Sequence, residues 1–530
     1  MTTSPAEILR PNSPAIRLAS VVERIGSQVI AQHGADPESI MLTGITHDSR
    51  SVVPGDVYAA LAGAHHHGAD FMADVVSKGA VAVITDPAGA DRAIASGLPT
   101  VVVGDVRKVL GNASAIVYGD PSRELTMFGI TGTNGKTTTA YLLEAAMRSC
   151  RRAPGLIGTI ETLINGSTIA SVRTTPEATD LHALLAVMRE RGVDTVIMEV
   201  SSHALVMGRV DGVMFDVVGF TNLSQDHLDF HRTMEAYFEA KASLFTPDRA
   251  RSGVVMLGDR SALPWGHRLV DLATIPVVAV GSSGSGSESL TPEPGVPTAT
   301  FGPILASEDE QSTQLISDAG EFTVRTALLG SWNLENAVLA AVMAGQAGAD
   351  VETAIAGIAA VTTIPGRLER VVSTTGSFGV RGFVDYAHTP DAVETVLSDL
   401  RVTAAEGRRL VAVIGCGGDR DQSKRSLMGA AAARHADFVI VTDDNPRSEN
   451  AGSIREAVLA GARSGASEAS IMDVGERRRA IEAAVTLASP DGVVAVLGKG
   501  HETGQEVAGV ITPFDDRLVL QNALDAAATR

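Results

Sequence analysis

Apolar residues along the first 125 positions fall into short β-branched runs, DVYAALAG (56–63), AVAVIT (80–85) and PTVVVG (99–104), separated by helical stretches such as ADFMADVVSKG (69–79). That alternation predicts a small α/β domain. From Leu125 a fresh strand, LTMFGITG (125–132), enters a glycine-containing turn and then TTTAYLLEAAMRSC (137–150), where Ala140, Leu143, Met147 and Cys150 share one helical face. Strands VDTVIMEV (193–200) and FDVVGFTN (215–222) each lead into a polar loop, the pattern of a doubly wound sheet. A Pro-Gly turn in TTIPGRLERV (362–371) then separates a helical region from RRLVAVIGCGG (408–418), ADFVIVTDD (436–444) and GVVAVLGKGHE (492–502). The chain therefore reads as α/β with three domains, 1–125, 126–363 and 364–530: a central doubly wound mononucleotide-binding sheet with a phosphate loop, and a Rossmann-like C-terminal domain. The Gly/Ser/Pro-rich stretch 281–297 reads as a surface loop without chemistry.

Composition narrows the function. At 530 residues and 45% hydrophobic, the chain can bury several cores. A formal net charge of −19 disfavours nucleic acid and acidic membranes, so an anionic substrate must be held by local cations. Two cysteines, Cys150 and Cys416, are too few for a disulfide framework and suit a reducing compartment. The N-terminus lacks the pattern of a signal peptide, and no apolar run approaches the roughly 18 residues of a membrane span. A cytoplasmic protein is expected, without a nucleic-acid or membrane partner.

The segment GITGTNGKTTT (129–139) lies between a strand and a helix, where backbone N–H groups and the helix N-terminus cradle phosphate. Lys136 is placed to neutralise terminal phosphates and Thr137 to coordinate Mg²⁺, although the spacing departs from G-x-x-x-x-G-K-[ST] because Ile130 stands five positions before Gly135. Glu199 ends one strand and His227 follows another, so both should project from the same sheet edge as candidate ligands of a metal that also bridges phosphates. Asp444, Asn445, Pro446 and Arg447 stop the strand at 438–441 in the position where open α/β sheets bind ligands. Histidines 65–67 are adjacent, and neighbours in sequence rarely converge on one ion. Gly415 and Gly417 are followed by Arg420 where a dinucleotide fingerprint needs glycine.

The ordered segments TGTNGKT, MEVSSH, DHLDFH, KASLF, WNLEN, PGRLE, DYAHTPD, GCGGDRD, DDNPR and GKGHE resemble the Mur ligases of peptidoglycan synthesis, most of all the tripeptide-synthetase branch that adds meso-diaminopimelate. The resemblance runs from about residue 45 to 515. It implies an ADP-forming amide ligase that uses ATP and Mg²⁺ to phosphorylate the D-glutamate side-chain carboxylate of UDP-MurNAc-L-Ala-D-Glu before an amine attacks; a monomer is expected, although the sequence does not give the oligomeric state. It further implies catalytic roles for Lys136, Glu199, His227 and Lys241, the last as a carbamylated N6-carboxylysine, and metal ligation by Thr137, Glu199 and His227. ATP would be held by Gly132, Thr133, Asn134, Gly135, Lys136, Thr137, Thr138, Asn336, Arg367, Asp385 and His388. The uridine nucleotide and its muramoyl-peptide would meet Ser49, the loop 63–68, Thr174, Thr175, Ser201 and Arg209. meso-Diaminopimelate would meet Arg420, Asp444, Asn445, Pro446, Arg447, Gly498 and Glu502. Two positions depart from the pattern, Arg173 for Asn and Met207 for Gln. The competing readings are a folylpolyglutamate synthetase, which needs no HDSR domain, the lysine-adding branch, whose tetrapeptide lacks the arginine, and a nucleotide-dependent switch that performs no ligation.

Overall fold

The computed structural model describes residues 10–171, 173–258, 264–283, 296–307, 310–375, 379–404, 407–464 and 468–529. Most of the Gly/Ser/Pro-rich stretch, residues 284–295, lies outside them.

The first sheet has five strands: Gly44–Thr46, Asp56–Ala60, Ala82–Thr85 and Thr100–Val103 run parallel, and Val29–His33 closes the edge antiparallel. Its four parallel strands are buried through their length, as β-branched runs covered on both faces should be, whereas the edge strand Val29–His33 is half-buried to exposed. The stretch expected as one helix at 69–79 divides into a 3₁₀ turn, Gly68–Phe71, and a helix, Met72–Ser77. The His67 ring and Asp70 form a reciprocal capping box that tightens the first turn.

The central sheet has twelve strands. The phosphate-loop strand Thr126–Thr131 lies between Thr195–Glu199 and Phe215–Phe220, all parallel. Their C-terminal ends, and the loops that follow, therefore share one edge. Helices cover both faces. Lys136–Ser149, Ser331–Gln346 and Val351–Ala359 pack on one through Ala140, Leu143, Met147, Leu334, Val338 and Ile358. Ala178–Glu190, Met234–Ala242 and Trp265–Leu272 pack on the other through Leu181, Leu185, Tyr237, Phe238 and Leu269. Sequence reasoning did not foresee the antiparallel margins. Gln311–Ser317 pairs with Gly320–Thr326 and extends the sheet past Thr298–Phe301, and Glu161–Ile164 pairs with Ser167–Ala170 at the other end. Gln311–Ser317 alternates buried and more exposed positions, the period-2 signature of a sheet packed on one face.

After the turn at 364–367 the third sheet begins with Glu369–Val371, antiparallel to Arg381–Asp385. Its parallel strands run in the order Arg381–Asp385, Val493–Leu497, Leu410–Ile414, Phe438–Val441 and Ser470–Asp473. This Rossmann-like order brings the loops after residues 385, 414, 441 and 497 to one edge, facing the phosphate loop across a cleft. Behind that edge the guanidinium of Arg477, fully buried, pairs at 2.7 Å with both carboxylate oxygens of Asp516 and donates to the Leu497 carbonyl at 3.0 Å.

Candidate active site

The cleft between the second and third sheets has a volume of about 640 Å³. Gly135 (φ 85°) and Gly132 (φ 148°) give the phosphate loop its shape. A Cβ at Gly132 would lie 1.9 Å from Thr221 Oγ1, and one at Gly135 2.4 Å from Asn336 Oδ1, so both positions exclude a side chain. Asn336 holds the loop from behind by accepting from Thr139 Oγ1 at 3.3 Å. Lys136 Nζ folds back on the carbonyls of Gly132 and Thr133, each at 2.8 Å. Lys241 Nζ donates to the same Gly132 carbonyl at 2.7 Å and lies 4.5 Å from the centre of the Tyr237 ring. Burial, with a smaller contribution from Lys136, holds the Lys241 amine well below its usual basicity, and burial lowers Lys136 as well.

Thr137 and Glu199 meet, Oγ1 donating to Oε2 at 3.0 Å, and Thr159 adds its amide at 2.8 Å and its hydroxyl at 3.0 Å to the same carboxylate. The imidazole of His227 stands 3.3 Å from Asp226, its pKa driven down to about 3, chiefly by burial. The Thr137 hydroxyl and Glu199 carboxylate are hard oxygen donors of the kind Mg²⁺ takes, with phosphate oxygens and water completing its shell, and the softer His227 imidazole lines the same cleft. Among the described residues no group of three His, Cys, Asp or Glu stands ready to hold a metal without such additions.

The opposite wall supplies Arg367, whose Nη2 donates to Thr137 Oγ1 at 2.9 Å while its guanidinium lies 4.7 Å from the Tyr386 ring centre. Its buried Nε has no partner, the condition of a donor awaiting an anion. Asp385 lines the cleft, yet its oxygens accept from the Leu368 and Ala387 amides at 2.6 and 2.7 Å, fastening the joint before the third sheet. His388 presents Nε2 3.8 Å from Asp226, whose carboxylate burial alone would raise. His388, His227 and Lys424 instead hold it well below the usual carboxylate range. Asn134 reaches Asp391 at 3.3 Å, so both walls meet at the phosphate loop.

In the arginine loop, Asn445 is a hub: its Oδ1 accepts from the Glu506 amide at 3.0 Å and Lys499 Nζ at 3.1 Å, and its Nδ2 donates to Glu502 Oε2 at 2.7 Å. These bonds spend the Asn445 amide on fixing its own loop. Arg447 (φ 54°) donates Nη1 to the Gly418 carbonyl at 2.6 Å, with Nε 3.5 Å from Glu506. The hairpin Gly504–Pro513 clasps it through the Arg447 amide to the Glu506 carbonyl, 3.1 Å, and the Ala508 amide to the Arg447 carbonyl, 2.7 Å. Pro446 turns its carbonyl against Gly418, where a Cβ would meet it at 1.9 Å. Gly498 (φ 112°) lets the Asp444 carboxylate approach, and Arg420, Asp444, Arg447, Gly498 and Glu502 line the cleft with the phosphate loop.

Thr174 and Ser201 also reach this lining. Behind them Thr175 donates to the Glu199 carbonyl at 2.8 Å, and Arg209 pairs with Glu177 at 2.8 Å, with its Nε buried and unpartnered. Glu177 also pairs with Arg173, and Arg107 of the first domain stands 3.8 Å away. Met207, the other departure, places its sulfur 3.4 Å from Arg209 Nη2. Ser49 sits apart from the main cleft in a 3₁₀ turn, its carbonyl accepting from Lys78 Nζ at 2.9 Å. The 63–68 loop is held by His67, whose Nδ1 accepts from the Ala69 amide and whose Nε2 faces Asp86, both at 3.0 Å. Sequence reasoning missed Thr159, Tyr237, Asp391, Asp226 and Lys424. The last three stand within or beside motifs it quoted.

A mononucleotide loop facing an arginine-bearing loop across two α/β domains defines a class of ATP-dependent ligase, and the chain belongs to the Mur ligase family. It matches the Mur ligase family catalytic domain over 41–118, the Mur ligase middle domain over 130–344 and the Mur ligase glutamate ligase domain over 366–500. A Streptomyces avermitilis protein named UDP-N-acetylmuramoyl-L-alanyl-D-glutamate–2,6-diaminopimelate ligase is 51% identical over 517 residues, covering 97% of this chain and 98% of that one. A solved structure with the same name aligns with a TM-score of 0.65 at 28% identity over 97% of this chain and all of that one. A Mycobacterium tuberculosis folylpolyglutamate synthase complexed with ADP and AMPPCP shares the fold, TM-score 0.57 at 22% identity, over 73% of this chain and 92% of its own.

Proposed function

We propose that this chain is the ADP-forming ligase that joins meso-diaminopimelate to UDP-MurNAc-L-Ala-D-Glu in peptidoglycan precursor synthesis. The observation that carries the reading is that the phosphate loop and the Asp444–Arg447 loop line one cleft. A carboxylate is a poor electrophile until one oxygen becomes a phosphate leaving group. The D-glutamate carboxylate oxygen attacks the γ-phosphorus, the bond to the bridging oxygen breaks, and ADP keeps the electron pair. The diaminopimelate amine then forms the C–N bond and loses a proton, while the C–O bond breaks and phosphate departs with its pair.

In this reading the Gly132–Thr138 amides and Lys136 bind the phosphates, with Asn336, Arg367, Asp385 and His388 bounding the nucleotide from both walls. Mg²⁺, held by Thr137, Glu199 and His227, would neutralise phosphate charge during transfer. Lys241 becomes N6-carboxylysine. An amine kept neutral by burial is the form that attacks CO₂, and losing a proton as the N–C bond forms leaves a carbamate, an oxygen ligand where an amine stood. Ser49, Thr174, Thr175, Ser201 and Arg209 hold the uridine nucleotide and dipeptide, Arg209 bringing an unpartnered donor. Arg420, Asp444, Arg447, Gly498 and Glu502 hold diaminopimelate, with Asn445 and Pro446 shaping their loop. The domains are taken to divide at 125/126 and 363/364, and the protein to work as a cytoplasmic monomer. Among the described residues no helix is long and apolar enough to cross a membrane.

One assay tests the reading: ADP release with UDP-MurNAc-L-Ala-D-Glu and meso-diaminopimelate, L-lysine or no amino acid in parallel. Release should require the nucleotide-dipeptide and meso-diaminopimelate together. Equal turnover without either would leave a nucleotide-dependent switch, and preference for L-lysine would place the chain in the other branch.

A further inference from the structure

The third domain carries two adjacent cations at the start of a helix. Lys424–His435 opens on Lys424 and Arg425, with no acidic residue in its first turn and no side-chain cap from Ser423. Positive charge there opposes the helix dipole, so local electrostatics account for neither residue. Glu449 accounts for Arg425 through two hydrogen bonds of 3.0 and 2.8 Å. Nothing comparable accounts for Lys424. The residue is 9% exposed, its ammonium donates no hydrogen bond to any described residue, and the acid facing it is Asp226 of the central domain, 3.7 Å away. A mostly buried side chain whose ammonium opens onto the cleft and faces one acid keeps N–H groups for a ligand, and a residue that also opposes its own helix dipole is expected at a functional site.

Asp226 gathers groups from both walls. Its Oδ1 accepts from the His227 amide at 2.9 Å, while its Oδ2 faces His227 Nε2 at 3.3 Å and His388 Nε2 at 3.8 Å. Asp226 and Lys424 both line the cleft, together with Thr133–Thr138 of the phosphate loop and with Cys416, Asp444 and Arg447 of the third domain. Under the function proposed above, this is the stretch of cleft that the phosphorylated carboxylate and the incoming amine have to share.

We propose that Lys424 is a further catalytic residue, one that leaves its resting counter-ion Asp226 to donate N–H groups to the transferring phosphoryl group. The ammonium stays protonated throughout and no proton passes through it. It offsets the negative charge that builds as the P–O bond to ADP breaks, and again as the C–O bond breaks and phosphate leaves with the electron pair. The inference rests on the ligase reading. Wild-type enzyme that releases no ADP with all three substrates would overturn that reading, whereas the variants below test Lys424.

Lys424→Met and Lys424→Arg are measured in the full chain, with kcat and the KM of each substrate determined separately. The methionine variant should lose about 10²- to 10³-fold in kcat, the scale of a lost transition-state donor, with KM for meso-diaminopimelate within about threefold of wild type. The arginine variant, which keeps the charge, should regain at least about tenfold. A kcat for the methionine variant within threefold of wild type, a loss confined to the KM of meso-diaminopimelate, or equal losses in the two variants would each overturn the assignment. Should the methionine variant fail to fold, Lys424→Gln is read by the same criteria.

Discussion

Replacing Arg447 by alanine removes a guanidinium that is largely but not wholly committed. Its Nη1 is bound to the Gly418 carbonyl at 2.6 Å, its Nε lies 3.5 Å from Glu506, and the side chain is 22% exposed. Nη2 remains for the distal carboxylate by which meso-diaminopimelate differs from lysine. A charge-assisted hydrogen bond contributes about 1.5–3 kcal/mol, and a bidentate pair with a carboxylate lies toward the upper end, about 2.7 kcal/mol, even with the side chain partly exposed. The expected fall in kcat/KM for meso-diaminopimelate is therefore roughly 10²-fold. The loop should persist, because its backbone bonds to Glu506 and Ala508 do not involve the side chain. Lysine would not leave this arginine bare, since Gly418 and Glu506 still face it. Wild-type discrimination against lysine should accordingly lie nearer 10- to 10²-fold than the larger factor expected for a fully unpaired buried charge. Steady-state ADP release at varied amino acid, with ATP and nucleotide-dipeptide saturating, gives both ratios, and a second series at varied ATP gives the KM of ATP. A kcat/KM for meso-diaminopimelate within threefold of wild type, or an equal rise in the KM of ATP, would refute the reasoning.

Lys136→Ala should cost about 3–4 kcal/mol of transition-state stabilisation, two to three orders of magnitude in kcat. Its melting temperature should hold or rise, because a buried ammonium is removed; near wild-type turnover in the folded variant would refute the phosphate-loop assignment. Lys241→Ala should be nearly inactive and partly restored by acetate, whose oxygens can occupy the place of the carbamate, and full activity without added anion would end the carbamate proposal. His182 is fully buried, with Nε2 3.0 Å from the Asp211 carbonyl, and burial lowers its pKa to about 4. As pH falls below about 6.5 the unfolded histidine takes a proton that the folded one refuses, so stability declines through that window, by about 1 kcal/mol between pH 7.5 and 5.5. Denaturant titrations at the two pH values should show His182→Gln losing that increment; an unchanged pH dependence would refute it.

Much of this was legible because phosphate binding and parallel strands write themselves locally. Strand, glycine turn, Lys136, Thr137 and helix are contiguous, and the strands ending at Glu199 and Phe220 are bounded by polar loops on the chain itself. The residues missed have their meaning across domains or across a sheet. Asp226 and Lys424 are 198 positions apart and acquire significance when the third sheet faces the second. Thr159 owes its place on Glu199 to the turn before the hairpin at 161–170, which no motif marks. The antiparallel margin at 311–326 carries an alternating pattern that the neighbouring polar stretch obscured, and the roles of Asn445 and Asp385 as fasteners of their own loops depend on which backbone amides come within reach.

With Lys241 carbamylated as proposed, the Gly132 carbonyl that two amines share would link gas chemistry to nucleotide affinity. While Lys241 carries no carbamate, burial and, to a smaller degree, Lys136 across a single shared oxygen atom hold its basicity down. Addition of CO₂ would make one of the pair an anion and so favour the protonated form of the other, the form that attracts a triphosphate. Dissolved inorganic carbon would then set how much of the enzyme population is competent to take up ATP, and a preparation stripped of bicarbonate should contain a dormant fraction that wakes on its return.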